Sequence, residues 1–333
     1  MSSGPRPFPW QDELWLELSS LALQKRLSHA LLLAGPAGVG KRGFARALAA
    51  FLLCESRSGY ACGRCRSCLQ LQAGTQPDAH LLSVDGHLAM SSDENRPDNA
   101  LAHWEPRPDS KRRDIAIGAV QSLIAQTAQA SHYGGARIVL VEPADALNES
   151  SVNALLKLVE EPPLGTHILF VSERPSALKP TLRSRCQRVR FAVPDAGVAQ
   201  AWLDGQGVRE PDALAMAQGA PLLALSLQGE GLALRRQWSE LWLAVARGKR
   251  DPLSAAASVE KEQVQEHLSW INGWLTTELR TRLRKGPVAG EAFEQMMTEV
   301  IEAQRRAAGN AQPQLLMESL LVQWQRLGRQ ALA

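Results

Sequence analysis

The sequence predicts an α/β protein: a parallel sheet carrying a phosphate-binding loop, followed by a part made only of helices. Three observations predict it. Residues 35–42 read GPAGVGKR directly after the apolar run Ala30–Ala34, so G-x-x-x-x-G-K stands where a strand turns into a helix. The runs 136–142 (ARIVLVE) and 166–172 (THILFVS) are nearly all branched aliphatic, the pattern of strands buried on both faces, and they alternate with helical segments. Past Pro194 the apolar spacing is helical to the end.

The elements follow in order. Residues 12–27 read as a helix, with Pro9 and Asp12 near its start, Leu14, Leu18 and Leu21 on its buried side and Leu23 a further candidate. HALLLAG (29–35) is a short strand, the loop follows, and the Ala- and Leu-rich stretch Gly43–Leu53 is the helix behind it. His80–Val84 is a second strand. Residues 85–112, polar, Pro-containing and charged with both signs, read as one long mobile loop. Ile115–Ala130 is a helix, 136–142 a strand, and Asn148–Glu160 a helix stopped by Pro162–Pro163. Then come the strands 166–172 and 186–192 (CQRVRFA). Beyond them helices break near Gly205–Gly207 and Lys285–Pro287, with Trp, Leu and Met at helical spacing in 261–284 and 312–327.

Length and composition bound the reading. A chain of 333 residues with 45% apolar content can fill two or three domains. A net charge of +3 is too small to argue for nucleic acid by itself. The first residues, MSSGPRPFPWQDELW, contain no apolar signal core, and no run reaches the roughly 18 apolar residues of a membrane span. The expected location is therefore the cytoplasm, with no membrane partner and with thiols kept reduced.

Four of the five cysteines crowd into fifteen residues as C-x7-C-x2-C-x2-C: Cys54, Cys62, Cys65 and Cys68. Four soft thiolates this close match tetrahedral Zn²⁺. With all four bound no position is left for water, so the expected zinc is structural. Gly59 and Gly63 permit the turns, and Arg57, Arg64 and Arg66 read as the charges of a solvated knob.

The phosphate loop offers backbone N–H groups, Gly35, Gly38, Gly40 and the Lys41 ammonium to a nucleotide. The next position should carry the hydroxyl that ligates Mg²⁺, and it is Arg42. A guanidinium cannot ligate a cation, although Arg42 could pair with a phosphate and allow binding without metal. After RIVLV a catalytic carboxylate is expected. Glu142 could still face a metal, but Pro143 can neither polarise a water nor accept its proton. These residues argue against hydrolysis and leave open whether a nucleotide binds. Farther on, Arg183, Arg185, Arg188 and Arg190 form a charge cluster, either a solvated strand edge or the carrier of a guanidinium that reaches a neighbour's γ-phosphate.

NALLKLVEEPP (153–163) followed by LRSRC (182–186) resembles the clamp-loader branch of the AAA+ ATPases, and the cysteine knob just after the phosphate-loop helix is similar to that of bacterial clamp-loader subunits. The match spans about residues 29–192. It implies a RecA-like domain over 1–193 with its zinc module at 54–68, a helical lid over 194–245 and a helical collar for oligomerisation over 246–333. GAPLLALSL (219–227) resembles the second sensor motif, with Leu222 where active subunits place an Arg, and VSERP (171–175) occupies the first-sensor region. The loop 85–112 is larger than is usual for the family. Together these imply a non-hydrolysing stator subunit of the DNA polymerase III clamp loader. Its partners would be motor subunits of the gamma/tau type, the delta subunit and, through the complex, the sliding clamp and primed DNA. Arg185 would be an arginine finger acting in trans. Two alternatives remain: an active ATPase motor, for which Gly35–Lys41 argues, and a zinc-dependent nucleic-acid-binding module, for which the arginines of the knob argue.

Overall fold

The structure, a computed structural model, describes residues 4–92, 114–133, 135–227, 229–283, 290–307 and 311–332. Helices and strands run α1 (Asp12–Leu23), β1 (Ala30–Ala34), α2 (Lys41–Leu53), α3 (Arg66–Ala73), β2 (Ala79–Ser83), β3 (Gly86–Ala89), α4 (Ile117–Thr127), β4 (Arg137–Val141), α5 (Glu149–Glu160), β5 (Thr166–Ser172), α6 (Pro180–Arg183), β6 (Gln187–Arg190), α7 (Ala196–Gly205), α8 (Ala213–Met216), α9 (Pro221–Ser226), α10 (Glu230–Ala246), α11 (Pro252–Ala257), α12 (Val264–Leu283), α13 (Gly290–Ala307) and α14 (Pro313–Leu332).

The six strands form one sheet in the order β3-β2-β4-β5-β1-β6. Every pairing is parallel except β2 with β3. Alternate residues of the central strands feed two cores. Leu31, Leu33, Leu140 and Leu169 face the layer of α1 and α2, while Leu32, Val139, Val141 and Phe170 face that of α4 and α5. Burying each such side chain contributes about 1.5–3 kcal/mol, which explains why these strands read as unbroken apolar runs.

Two details depart from the sequence reading. The stretch 85–112 begins with a strand, β3, which hairpins back on β2 so that Ser83 pairs with Gly86. Residues 93–112 of the expected loop lie outside the described residues. In α1, Leu18 is buried and Leu14 and Leu21 pack partly buried against the core as expected, joined by buried Trp15 and Ala22, but Leu23 is 53% exposed. The helix ends at Leu23 rather than running to residue 27, so this last apolar position sits in the final turn.

The chain divides into two compact units. The first is Met1–Arg209 with Gly219–Ser226, and the second is Glu210–Gln218 with Leu227–Ala333. The second unit is helical around a tryptophan-rich core. There the Trp242 indole N–H donates to His267 Nε2 at 2.8 Å and the Trp324 N–H donates to the Trp242 carbonyl at 2.8 Å. Among the described residues, no helix is long and apolar enough to cross a membrane.

Candidate functional sites: the phosphate loop, the cysteine cluster and Arg185

β1 delivers the chain to Gly35 at its C-terminal end. A side chain at Gly35 would meet the Phe191 carbonyl oxygen at 2.2 Å, so only glycine fits between β1 and the residue following β6. Gly38 and Gly40 have φ of +72° and +91°, the left-handed region that glycine enters without strain. The loop thus has the turn its sequence foretells, with Gly40 as the N-cap of α2.

Its charged residues are engaged with the protein itself. The Lys41 ammonium donates to the Pro36 carbonyl at 2.5 Å, and the residue is 3% exposed. Burial pushes its pKa down to about 8, against the opposing pull of Glu173, Asp145 and Glu142. The Arg42 Nε–H donates to Glu142 Oε1, and Arg46 Nη1 donates to Glu142 Oε2 at 2.8 Å. Glu142, 1% exposed, follows the end of β4. Burial alone would raise its carboxyl, but the Arg46 and Arg42 guanidiniums, by charge and hydrogen bond, hold it below the usual carboxylate range. Arg46 carried no signal in the sequence, because its role depends on a partner 96 positions away.

The mouth of the loop is covered from the same unit. The Leu222 N–H donates to the Gly38 carbonyl at 3.0 Å, and a side chain at Gly38 would meet Leu223 Cβ at 2.6 Å. On the other side the Trp10 indole and the Gln11 amide both donate to the Val39 carbonyl, at 3.0 and 2.9 Å. Phe8 stacks on Trp10, and Trp202 meets both rings edge-on. The Leu222 backbone is therefore at the loop, and its apolar side chain is buried. At the end of β5 the Ser172 hydroxyl donates to Asp145 Oδ1 at 2.6 Å, and the Glu173 N–H donates to Asp145 Oδ2 at 2.7 Å. Asp145, two residues past Pro143, thus orders the turn after β5.

The four cysteines come together. Cys54 caps the end of α2, Cys65 caps the start of α3, and the sulfur atoms of Cys54, Cys62, Cys65 and Cys68 lie within 4.8 Å of one another. Backbone N–H groups point at the sulfurs: Cys62 to Cys54 Sγ and Cys65 to Cys62 Sγ, each at 3.3 Å. Hydrogen bonds from backbone N–H groups, first that of Arg64, pull the Cys62 thiol down to about 6. Burial pushes Cys54 and Cys68 up. A tetrahedral S₄ zinc with bonds of about 2.3 Å needs sulfurs about 3.8 Å apart, and Cys54 and Cys65 are 4.0 Å apart. The donor set and its spacing fit such a metal.

The knob keeps Arg64 and Arg66 exposed and Arg57 half-buried, while its base is anchored in the core. Cys54, Ala61, Cys68 and Leu71 belong to the core beneath α2, and the Trp15 indole donates to the Gly59 carbonyl at 2.9 Å. Two of its three arginines are engaged. Arg57 donates to the Leu52 carbonyl at 3.0 Å, and Arg66 donates to the Tyr133 hydroxyl at 2.8 Å while lying over that ring.

Arg185 follows α6 at the entry to β6. Its Nε donates to Glu160 Oε1 at 2.5 Å and its Nη1 to the Thr181 carbonyl at 2.9 Å, with the side chain 39% exposed. Arg183 and Arg188 lie apart from this contact. With Leu32, Pro175 and Ser176 they line a cleft of about 390 Å³.

Comparison with known proteins places these sites in context. A sequence-family model described as "DNA polymerase III, delta subunit" matches residues 10–195. The chain is 32% identical to DNA polymerase III subunit delta' of Pseudomonas aeruginosa, over 96% of this chain and 98% of that protein. It is 30% identical to DNA polymerase III subunit delta' of Escherichia coli K12, over 83% of this chain and 77% of that one. Among solved structures, a DNA polymerase III gamma subunit-related protein from Thermotoga maritima aligns over 95% of this chain and 99% of its own, with 12% identity and a TM-score of 0.43.

Proposed function

The chain belongs to the family of DNA polymerase III delta' subunits, and on that premise we propose that it is a clamp-loader subunit that does not hydrolyse ATP and acts on its neighbour. In this reading residues 1–193 form the RecA-like domain, 194–245 a lid and 246–333 the collar that joins the other subunits. Those partners are motor subunits of the gamma/tau type and a delta subunit. The assembly places the sliding clamp on primed DNA in the cytoplasm.

The observation that carries the first half is the closed circuit at the phosphate loop. In an active site of this kind a hydroxyl and a carboxylate hold Mg²⁺, and the lysine reaches the outer phosphates. Here a guanidinium stands at the hydroxyl position and, with Arg46, binds the Glu142 carboxylate. Lys41 is turned onto Pro36. Gly38, Val39 and Gly40 are covered by Leu223, Trp10, Gln11 and Phe8. The residues present do not fit a magnesium nucleotide. They suit a rigid domain whose site is filled by its own side chains.

The second half rests on Arg185, an exposed guanidinium outside the filled loop. Delivered to a neighbour's γ-phosphate, it would stabilise the charge of phosphoryl transfer, an effect on the order of 10³–10⁵ in rate per site in well-studied systems. Cys54, Cys62, Cys65 and Cys68 would hold a structural zinc, which supplies no chemistry beyond cross-linking the turns, since four thiolates leave no open position. The test is ATP turnover. The purified chain should show none, and turnover by the assembled complex should fall when Arg185 is replaced by Ala. Turnover by the isolated chain would overturn the reading.

A further inference from the structure

The two stretches that carry the clamp-loader resemblance, 153–163 and 182–186, touch each other in the fold. Glu160 is the last residue of α5 and Arg185 lies two residues past the end of α6. A carboxylate at a helix C-terminus faces the negative end of the helix dipole, so Glu160 is poorly placed with respect to its own helix. Its compensation is Arg185, bonded through Nε at 2.5 Å. The Thr181 carbonyl holds Nη1 of the same guanidinium at 2.9 Å. The plane is thus fixed on two sides. Among the described residues no hydrogen bond engages Nη2, and both side chains are well exposed, 39% for Arg185 and 46% for Glu160.

We propose that Glu160 is the positioning residue of the arginine finger: with Thr181 it orients the Arg185 guanidinium so that Nη2 is offered to a neighbour's phosphate. The proposal rests on the finger reading of Arg185 given above. A long exposed arginine samples many rotamers, and fixing it at the moment of reaction costs entropy. A guanidinium oriented beforehand has already met part of that cost. What matters is the accepted hydrogen bond rather than the negative charge, because a glutamine oxygen can accept from the same Nε–H. An exposed pair is a modest device, so its removal should be worth about two- to fivefold in rate.

The experiment uses the assembled clamp loader containing Glu160→Ala, Glu160→Gln, Arg185→Ala or the Glu160→Ala/Arg185→Ala double variant, with assembly checked by intact mass. The readout is steady-state ATP turnover with primed DNA. Glu160→Ala should slow turnover at the neighbouring site about two- to fivefold, lowering total kcat by less than that and by no more than Arg185→Ala does, with KM for ATP unchanged, because the finger acts on charge developed in the transition state. Glu160→Gln should retain most of the rate. The double variant should be no slower than Arg185→Ala alone, since both changes remove one effect. Turnover at or above wild type in Glu160→Ala, beside a clear loss in Arg185→Ala, would overturn the positioning role and leave the finger standing. Additive losses in the double variant would place the action of Glu160 elsewhere. Wild-type turnover in Arg185→Ala would remove the finger reading and this proposal with it.

Discussion

Arg42 and Glu142, one hundred positions apart in the chain, form an ion pair with both side chains almost wholly out of water, and Arg46 completes it from one turn further along α2. The pair ties the phosphate-loop helix to the end of β4, across the place where an active enzyme would hold metal and nucleotide.

Removing the carboxylate should therefore unseat the loop. Glu142→Ala takes from two buried guanidiniums the carboxylate that both bond, a loss of about 3–5 kcal/mol, read as a lower urea midpoint at unchanged slope. The pH dependence has a definite sign. The folded-state pKa of Glu142 is depressed, so its stabilisation is present above the ordinary value of 4.5 and is lost as pH falls through the lower folded value. Wild type should lose stability below about pH 4.5 more steeply than Glu142→Gln.

Lys41 has the opposite sign. Its folded pKa of about 8 lies below the ordinary 10.5, so the unfolded chain binds more protons between those values and stability rises with pH across that window. Lys41→Met should raise stability at pH 7 and flatten that rise in denaturation curves. If the loop holds no working nucleotide, Lys41→Ala should leave clamp loading by the assembled complex unchanged. Loss of loading with normal assembly would require a working nucleotide at Lys41.

Elemental analysis of protein prepared without chelator should find one zinc per chain. Cys62→Ser should release it. Because Cys54, Ala61 and Cys68 share the core beneath α2, metal loss should lower the melting temperature, while the far-UV signal of the sheet persists below the transition. Zinc-free wild-type protein of normal stability would dismiss the metal.

Much of this was legible in the residues themselves. The buried strands β1, β4 and β5 announce themselves as apolar runs, and the glycine loop, the cysteine spacing and the arginine run are local patterns. β3 was missed because its four residues are half exposed and carry no apolar alternation; the Asp85-Gly86 step after an apolar strand was the available signal. What sequence cannot display is pairing at a distance. Arg46 with Glu142, Asp145 with Ser172, Glu160 with Arg185 and Trp10 with Val39 all join segments whose separation hides the contact. The sequence left Arg42 and Glu142 available to a phosphate and a metal respectively. Folding brings them to each other instead.

The most direct measurement is DNA-stimulated ATP turnover by a correctly assembled complex carrying Arg185→Ala. The substitution should leave folding, zinc content and assembly intact, since an exposed arginine contributes little to a core. Turnover should nonetheless fall, by less than the full effect of a finger at one site where other motor subunits of the assembly keep turning over. Arg185→Lys should rescue poorly, because a point charge lacks the planar fork. Arg183→Ala and Arg188→Ala should stay close to wild type. Wild-type turnover and clamp loading in the Arg185→Ala complex would contradict the account and leave this subunit a purely structural part.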